Sequence, residues 1–98
     1  MKQHQYRIRI DHLCDADGHP SCHPQSLEFQ TGNHDDIFRI VELMKQRDDL
    51  SPAHATSLAV GLKLFSEVML ENKGHPLFTE FQPHFLAFMR KLKGKSGQ

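Results

Sequence analysis

Potential metal ligands concentrate in one loop-forming segment near the N-terminus. Four of them could bind an ion together, and these are Cys14, His19, Cys22 and His23. Zinc is held by four such ligands in tetrahedral geometry, so the segment is a candidate zinc site. Its spacing matches no standard zinc module, and the adjacent side chains of Cys22 and His23 do not easily reach one ion. A solvated loop is therefore the preferred interpretation and a zinc site the alternative, and no other cofactor is expected.

The same segment allows two further kinds of chemistry. Asp15, Asp17 and Gly18 resemble the start of a calcium-binding loop, but the later oxygen ligands of such a loop are missing. Cys14 and Cys22 could form a disulfide under oxidation, whereas a reducing compartment keeps them as free thiols. The sequence alone does not decide between a metal, a disulfide and free thiols.

A second polar segment, comprising Asn33, His34, Asp35 and Asp36, lies at the start of a predicted helix. We predict that Asn33 caps this helix, because asparagine is a favoured N-cap and an acidic residue three positions later approximates a capping box. His34 beside an aspartate could act as an acid–base pair. Catalysis would also need a nucleophile or cofactor and a pocket, and no Ser or Cys motif supplies them. Capping is therefore preferred, and a small enzyme is the third-ranked hypothesis.

The charge balance disfavours several classes of partner. The 98 residues include 12 basic and 12 acidic side chains, so the net charge is zero with neutral histidines. Proteins that bind nucleic acids or membrane surfaces usually concentrate basic charge, so both functions are disfavoured. The apolar runs are too short to span a bilayer, and the N-terminus lacks the apolar stretch of a signal peptide. We expect a cytoplasmic protein.

Hydrophobic periodicity predicts an α+β fold in a single domain over residues 1–98. Alternating residues predict two strands, at about 4–13 and 26–31. Helical spacing, capping residues and prolines predict helices at about 34–47, 52–73 and 83–93, with a short helical turn at 76–81. The order is β-β-α-α-α, and an antiparallel pair is the simplest arrangement of the two strands.

The long helix predicted at 52–73 is apolar on two sides. One stripe runs from Ala55 to Met69, and an almost opposite stripe consists of Val60, Leu64 and Val68. A helix with two apolar stripes must be covered on both, so the second stripe is a candidate interface between subunits. A two-stranded sheet also leaves edges that can pair with another chain. These features predict a homodimer formed by sheet extension or helix packing, unless the last helix covers the second stripe within one monomer.

Phenylalanine is unevenly distributed along the chain. Five of the seven phenylalanines lie between Phe65 and Phe88. Because aromatic side chains bury large areas and dominate protein cores, this concentration predicts the densest part of the core there.

Several short motifs between Tyr6 and Lys93 resemble those of one family of small bacterial proteins. They are Gly32-Asn33-His34-Asp35-Asp36-Ile37, Ala59-Val60-Gly61-Leu62-Lys63-Leu64-Phe65, Glu67-Val68-Met69-Leu70, Pro76-Leu77-Phe78 and Pro83-His84-Phe85. The family is catalogued only as a domain of unknown function, so the resemblance implies a bacterial cytosolic origin and no activity, cofactor or site residue. The leading functional hypothesis from the residues is a small homo-oligomeric interaction or accessory protein without catalytic activity. The alternative is a small metal- or ligand-binding domain that uses the Cys/His loop.

Overall fold

The computed structural model describes residues 2–95 as a two-stranded sheet followed by helices. Its elements are β1 (His4–Ile10), β2 (Leu27–Asn33), α1 (Ile37–Lys45), α2 (Pro52–Glu71), α3 (Pro76–Thr79) and α4 (Gln82–Lys95). The predicted α+β fold and order of elements are confirmed, with the short helical turn appearing as α3 and bringing the number of helices to four. By contacts the chain separates into two compact units, one ending at His34 and one beginning at Asp35. The single domain stays a prediction.

The first unit is an antiparallel hairpin with a long connection. Its register pairs Ile8 with Phe29 and Ile10 with Leu27, so apolar side chains from both strands share one face of the sheet. β1 ends at Ile10 rather than at the predicted residue 13. The connection between the strands is itself ordered by an isolated bridge that pairs Cys14 with Pro20.

Several side chains on the apolar face of the hairpin are exposed. Ile10, Leu27 and Phe29 are exposed, at 53%, 60% and 41% respectively. Among residues 2–34, the buried side chain is Asn33, which is polar. Because hydrophobic burial is the main favourable term in folding, this hairpin has no apolar core of its own over those residues.

Helix α1 begins three residues later than the sequence predicted. Its N-cap is Asp36, whose carboxylate accepts hydrogen bonds from the backbone amides of Phe38 and Arg39. The prediction of Asn33 as N-cap is therefore wrong, because Asn33 is the last residue of β2. A favoured N-cap residue does begin the helix, but it is Asp36 and not Asn33.

Helix α2 follows its predicted course closely. Ser51 caps it by accepting a hydrogen bond from the His54 amide, and Pro52 occupies the first helical turn. The helix ends at Glu71, and Gly74 then adopts a positive φ of 83°, which glycine tolerates without a steric penalty.

Helix α4 runs antiparallel to α2 in the second unit. The Phe85 ring contacts the Phe65 ring, whereas Leu92, further along α4, packs near Ala55 and Ala59 at the start of α2. The core that these helices share with α1 is centred on Met44. Over residues 2–95 the buried apolar side chains are all non-aromatic, namely Ile37, Met44, Ala55, Ala59 and Met69.

The aromatic segment is not the dense core that its composition predicted. No phenylalanine of the described chain is buried, and Phe65, Phe81 and Phe88 remain 40%, 44% and 43% exposed. The prediction failed because composition shows where apolar residues lie along the chain, and does not show whether another element covers them. Four of the rings contact one another.

Candidate functional site

Four phenylalanine rings form a cluster between α2, α3 and α4. The Phe65 ring lies at the centre, with ring centroids 6.2 Å from Phe78, 5.9 Å from Phe81 and 6.1 Å from Phe85. The interplanar angles of these three pairs are 61–74°, the edge-to-face geometry that aromatic pairs prefer. The cluster therefore fixes the short α3 segment and the start of α4 against α2.

The outer side of this cluster is open to solvent. Val68 lies one turn beyond Phe65 on α2 and is 49% exposed, and Phe88 lies one turn beyond Phe85 on α4. We call the six residues Phe65, Val68, Phe78, Phe81, Phe85 and Phe88 the aromatic surface. Exposed apolar patches of this kind mark interaction sites more often than single exposed apolar residues do.

The three residues of the predicted second stripe differ in exposure. Val60 and Leu64 are half-buried, whereas Val68 is about half-exposed. Only Val68 belongs to the aromatic surface. Their role as an interface stays a prediction.

The Cys/His segment forms a surface loop. Cys14 and Cys22 are both exposed free cysteines. The rings of His12 and His23 meet edge to face at 5.0 Å, and His12 Nδ1 lies 2.5 Å from the Ser21 hydroxyl oxygen. The His12 side chain thus contacts both His23 and Ser21.

A different group of potential metal ligands forms in the same loop. Ligand atoms of Asp15, Asp17 and His19 lie within 4.8 Å of one another, and all three residues are exposed. The Asp15 carboxylate already accepts hydrogen bonds from the backbone amides of Asp17 and His19, which is how an aspartate closes a turn. Within residues 2–95 no group of three contains Cys14, Cys22 or His23, so His19 is the member of the predicted zinc set that joins such a group.

The residues of the predicted polar segment at the start of α1 make separate contacts. His34 is exposed, Asp36 caps α1, and Asp35 accepts an ion-pair hydrogen bond of 2.8 Å from Lys63 Nζ. The Lys63 side chain is only 14% exposed. The ion pair of Asp35 thus joins the start of α1 to α2, and each of the two aspartates that could pair with His34 has another structural role.

An apolar cavity of about 110 Å³ lies between α1, α2 and α4. Its lining includes Met44, Ala59, Met89 and Leu92, together with Lys63 and Lys93. Neither this cavity nor its lysines was predicted from the sequence. A signal was present, because Lys63 falls four residues after the buried Ala59 and so interrupts the apolar face of α2.

The comparisons with known proteins agree with this architecture. Residues 4–94 match a domain of unknown function with a solved structure, DUF3861. The chain belongs to the DUF3861 family. The family resemblance deduced from the short motifs is therefore confirmed.

A solved structure extends the similarity to three dimensions. The chain is similar to a protein of unknown function from Pectobacterium atrosepticum, with 35% identity and a TM-score of 0.81 over 95% of this chain and 99% of the other. No curated protein matches the chain. Over residues 2–95 no helix has the length and apolarity needed to cross a membrane.

Proposed function

We propose that this DUF3861 chain is a small self-associating interaction protein, without catalytic activity of its own, whose aromatic surface forms the contact between two copies. The observation that carries the proposal is the partial exposure of Phe65 and Phe81 at the centre of a ring cluster. Removing such rings from water is favourable by roughly 25 cal/mol per Å² of apolar area, which provides a driving force for association.

The small size of the core supports a second copy of the chain as the partner that covers the aromatic surface. The buried apolar side chains of the described residues include two alanines and no aromatic residue. Small domains with a limited core are often completed by oligomerisation. A twofold interface is self-complementary, so one patch serves both subunits. Burial of the aromatic surface against its own copy would give each subunit the aromatic core that it lacks.

The charge balance also supports a second copy of the chain as this partner. With 12 basic and 12 acidic side chains, two copies have no net charge to repel each other. A net charge near zero promotes association between identical proteins. A strongly charged partner, by contrast, would find no opposite net charge on this chain.

We also propose that the protein acts in the cytoplasm. Its two exposed cysteines are free, and exposed thiols persist best in a reducing compartment.

Light scattering on matched variants tests the proposed interface. We expect wild-type protein at tens of micromolar to have twice the 11.3 kDa monomer mass, and Phe81→Ser to shift it toward the monomer. Phe38→Ser is the matched control, because Phe38 is 74% exposed on α1 and lies outside the aromatic surface. A monomeric wild type would contradict the proposal. An equal shift toward the monomer in both variants would indicate nonspecific hydrophobic contact instead.

The alternative assembly is sheet extension through the edges of β1 and β2. In that geometry Phe81→Ser leaves the mass unchanged, because the substituted residue lies outside the sheet. The same measurement therefore separates the two modes.

The metal-binding alternative is tested separately. Elemental analysis of untagged protein should find stoichiometric zinc if Cys14, His19, Cys22 and His23 form a site. Absence of zinc, together with no thermal shift on zinc addition, would end that hypothesis.

A further inference from the structure

The cavity between α1, α2 and α4 has room for one small ring. Its volume is about 110 Å³. An apolar cavity of about 150 Å³ is enough to hold benzene, whereas sites for drug-sized ligands measure roughly 300–1,000 Å³. Two methionines, Met44 and Met89, belong to the lining, and their flexible side chains adapt readily to an irregular space. The cavity therefore suits a single ring and is too small for a drug-sized ligand.

The lining runs from the core of the helical unit toward the surface. Met44 and Ala59 are buried and belong to the core that α1 and α2 share. The other apolar residues described in the lining are half-buried, namely Ile40, Leu43, Leu62, Met89 and Leu92. A small ligand that enters beside the half-buried residues can therefore reach the buried end without the helices separating.

The lining favours an uncharged ligand. Seven of the nine described residues that line the cavity are apolar, and the other two are Lys63 and Lys93. Neither lysine lacks a partner, because Lys63 Nζ lies 2.8 Å from Asp35 Oδ2 and Lys93 has an interaction of its own. Neither ammonium group therefore requires an anionic ligand. Burying an unpaired charge among the apolar residues would cost far more than burying a neutral ring.

We propose that this cavity binds a small, neutral compound with a single aromatic ring. The ring would contact Ala59 and lie beside Met44 and Met89, which line the cavity from α1 and α4. Thioether sulfurs make favourable contacts with aromatic rings at about 5 Å, so the two methionines favour an aromatic ring. The described lining contains no aromatic side chain of its own.

The proposal is independent of self-association. None of the residues of the aromatic surface belongs to the described lining, so the failure of either proposal leaves the other intact.

Methionine methyl groups provide a direct test with the full chain. In protein labelled with ¹³C in these methyl groups, titration with benzene should shift the NMR signals of Met44 and Met89, because the ring current acts on nearby groups. Met69 is buried on α2 but outside the lining, and it serves as the internal control. We expect a Kd of about 1 mM, which is ordinary for so small a ligand.

Two matched substitutions locate the site. Leu43→Phe adds a ring to a half-buried residue of the lining, and it should weaken benzene binding at least about tenfold because the added ring occupies the space. Leu58→Phe is the control, because Leu58 is also half-buried and packs against the same core but does not line the cavity. It should change the Kd by less than about twofold.

Charged analogues test the preference for a neutral ligand. Benzoate and benzylammonium carry the same ring with opposite charges. Each should bind at least about tenfold more weakly than benzene, because its charge would have to leave water without a partner in the cavity.

Three results would overturn the proposal. The first is the absence of selective shifts at Met44 and Met89 up to about 10 mM benzene. The second is a charged analogue that binds as tightly as benzene, which would show that the cavity does not select a neutral ring. The third is an equal loss of binding in Leu43→Phe and Leu58→Phe. The spectrum reports folding in each sample, and if Leu43→Phe misfolds, the three titrations of the wild-type protein decide the outcome.

Discussion

The guanidinium of Arg47, just beyond α1, donates a hydrogen bond of 3.1 Å from Nη1 to the backbone carbonyl of Leu92 in α4. Helix α4 ends at Lys95, so this carbonyl is among the last four of the helix, which lack partners within it. Asp49 orients the guanidinium through a two-pronged ion pair, with distances of 2.8 and 2.7 Å. The side-chain hydrogen bonding to Asp49 also raises the pKa of Arg47. A cation held in this position opposes the negative end of the helix dipole.

Replacing Arg47 with lysine should loosen the last turn of α4. Lysine keeps the charge but cannot hold Asp49 with two prongs while donating to Leu92. We expect backbone amide exchange in the last turn of α4 to accelerate several-fold, with a smaller change in α1, as measured by hydrogen–deuterium exchange. Arg39→Lys is the control, because Arg39 is an exposed arginine on α1. Unchanged protection in Arg47→Lys would show that α4 docks without this contact.

Removing the cap of α1 should destabilise the chain by a measurable amount. Asp36→Ala leaves the amides of Phe38 and Arg39 without their side-chain acceptor, and the expected loss in the free energy of unfolding is about 1 kcal/mol. Urea unfolding measures this loss, and Asp48→Ala is a control at an exposed aspartate outside any helix. If Asn33→Ala lowered the free energy of unfolding and Asp36→Ala did not, the assignment of Asp36 as the N-cap would be wrong.

The stabilising contribution of Asp11, at the loop end of the hairpin, should be lost in acid. The hydrogen bond from the Ser26 hydroxyl, and then that from Arg9, lowers the pKa of Asp11 below its ordinary value of 3.8. A carboxyl whose pKa is lower in the folded state stabilises the fold fully above the ordinary value. That contribution is lost as the pH falls below 3.8 through the folded-state pKa.

Carbon-detected NMR titration of Asp11 measures this pKa. Ser26→Ala removes the largest cause of the shift and should raise the pKa toward 3.8, whereas Ser57→Ala, an exposed serine on α2, should not change it. An Asp11 that titrates at its ordinary value in the wild-type protein would contradict the contact with Ser26.

Local signals predicted much of the fold. Ser51 and Pro52 predicted the start of α2, and alternation around Ile8 predicted β1, because caps, proline and side-chain period act within a few residues. The start of α1 was misplaced because Asn33 and Asp36 are both good N-caps. Only tertiary context, which buries Asn33 in β2, decides between them.

The candidate sites were harder to predict because they depend on what covers each residue. The concentration of phenylalanines predicted a dense core, but Phe65 and Phe81 instead lie partly exposed. Lys63 and Lys93 are 30 residues apart in the chain, and only the antiparallel packing of α2 and α4 brings them to one cavity. No sequence motif links two positions whose proximity comes from packing alone.

The most direct test of the central claim is an isotope-filtered NOE measurement on a mixture of ¹³C-labelled and unlabelled protein. It detects only contacts between different copies of the chain. We predict intermolecular NOEs among Phe65, Val68 and Phe81 at concentrations where the mass is that of a dimer. A mass that stays monomeric, or intermolecular NOEs confined to β1 and β2, would contradict an assembly through the aromatic surface.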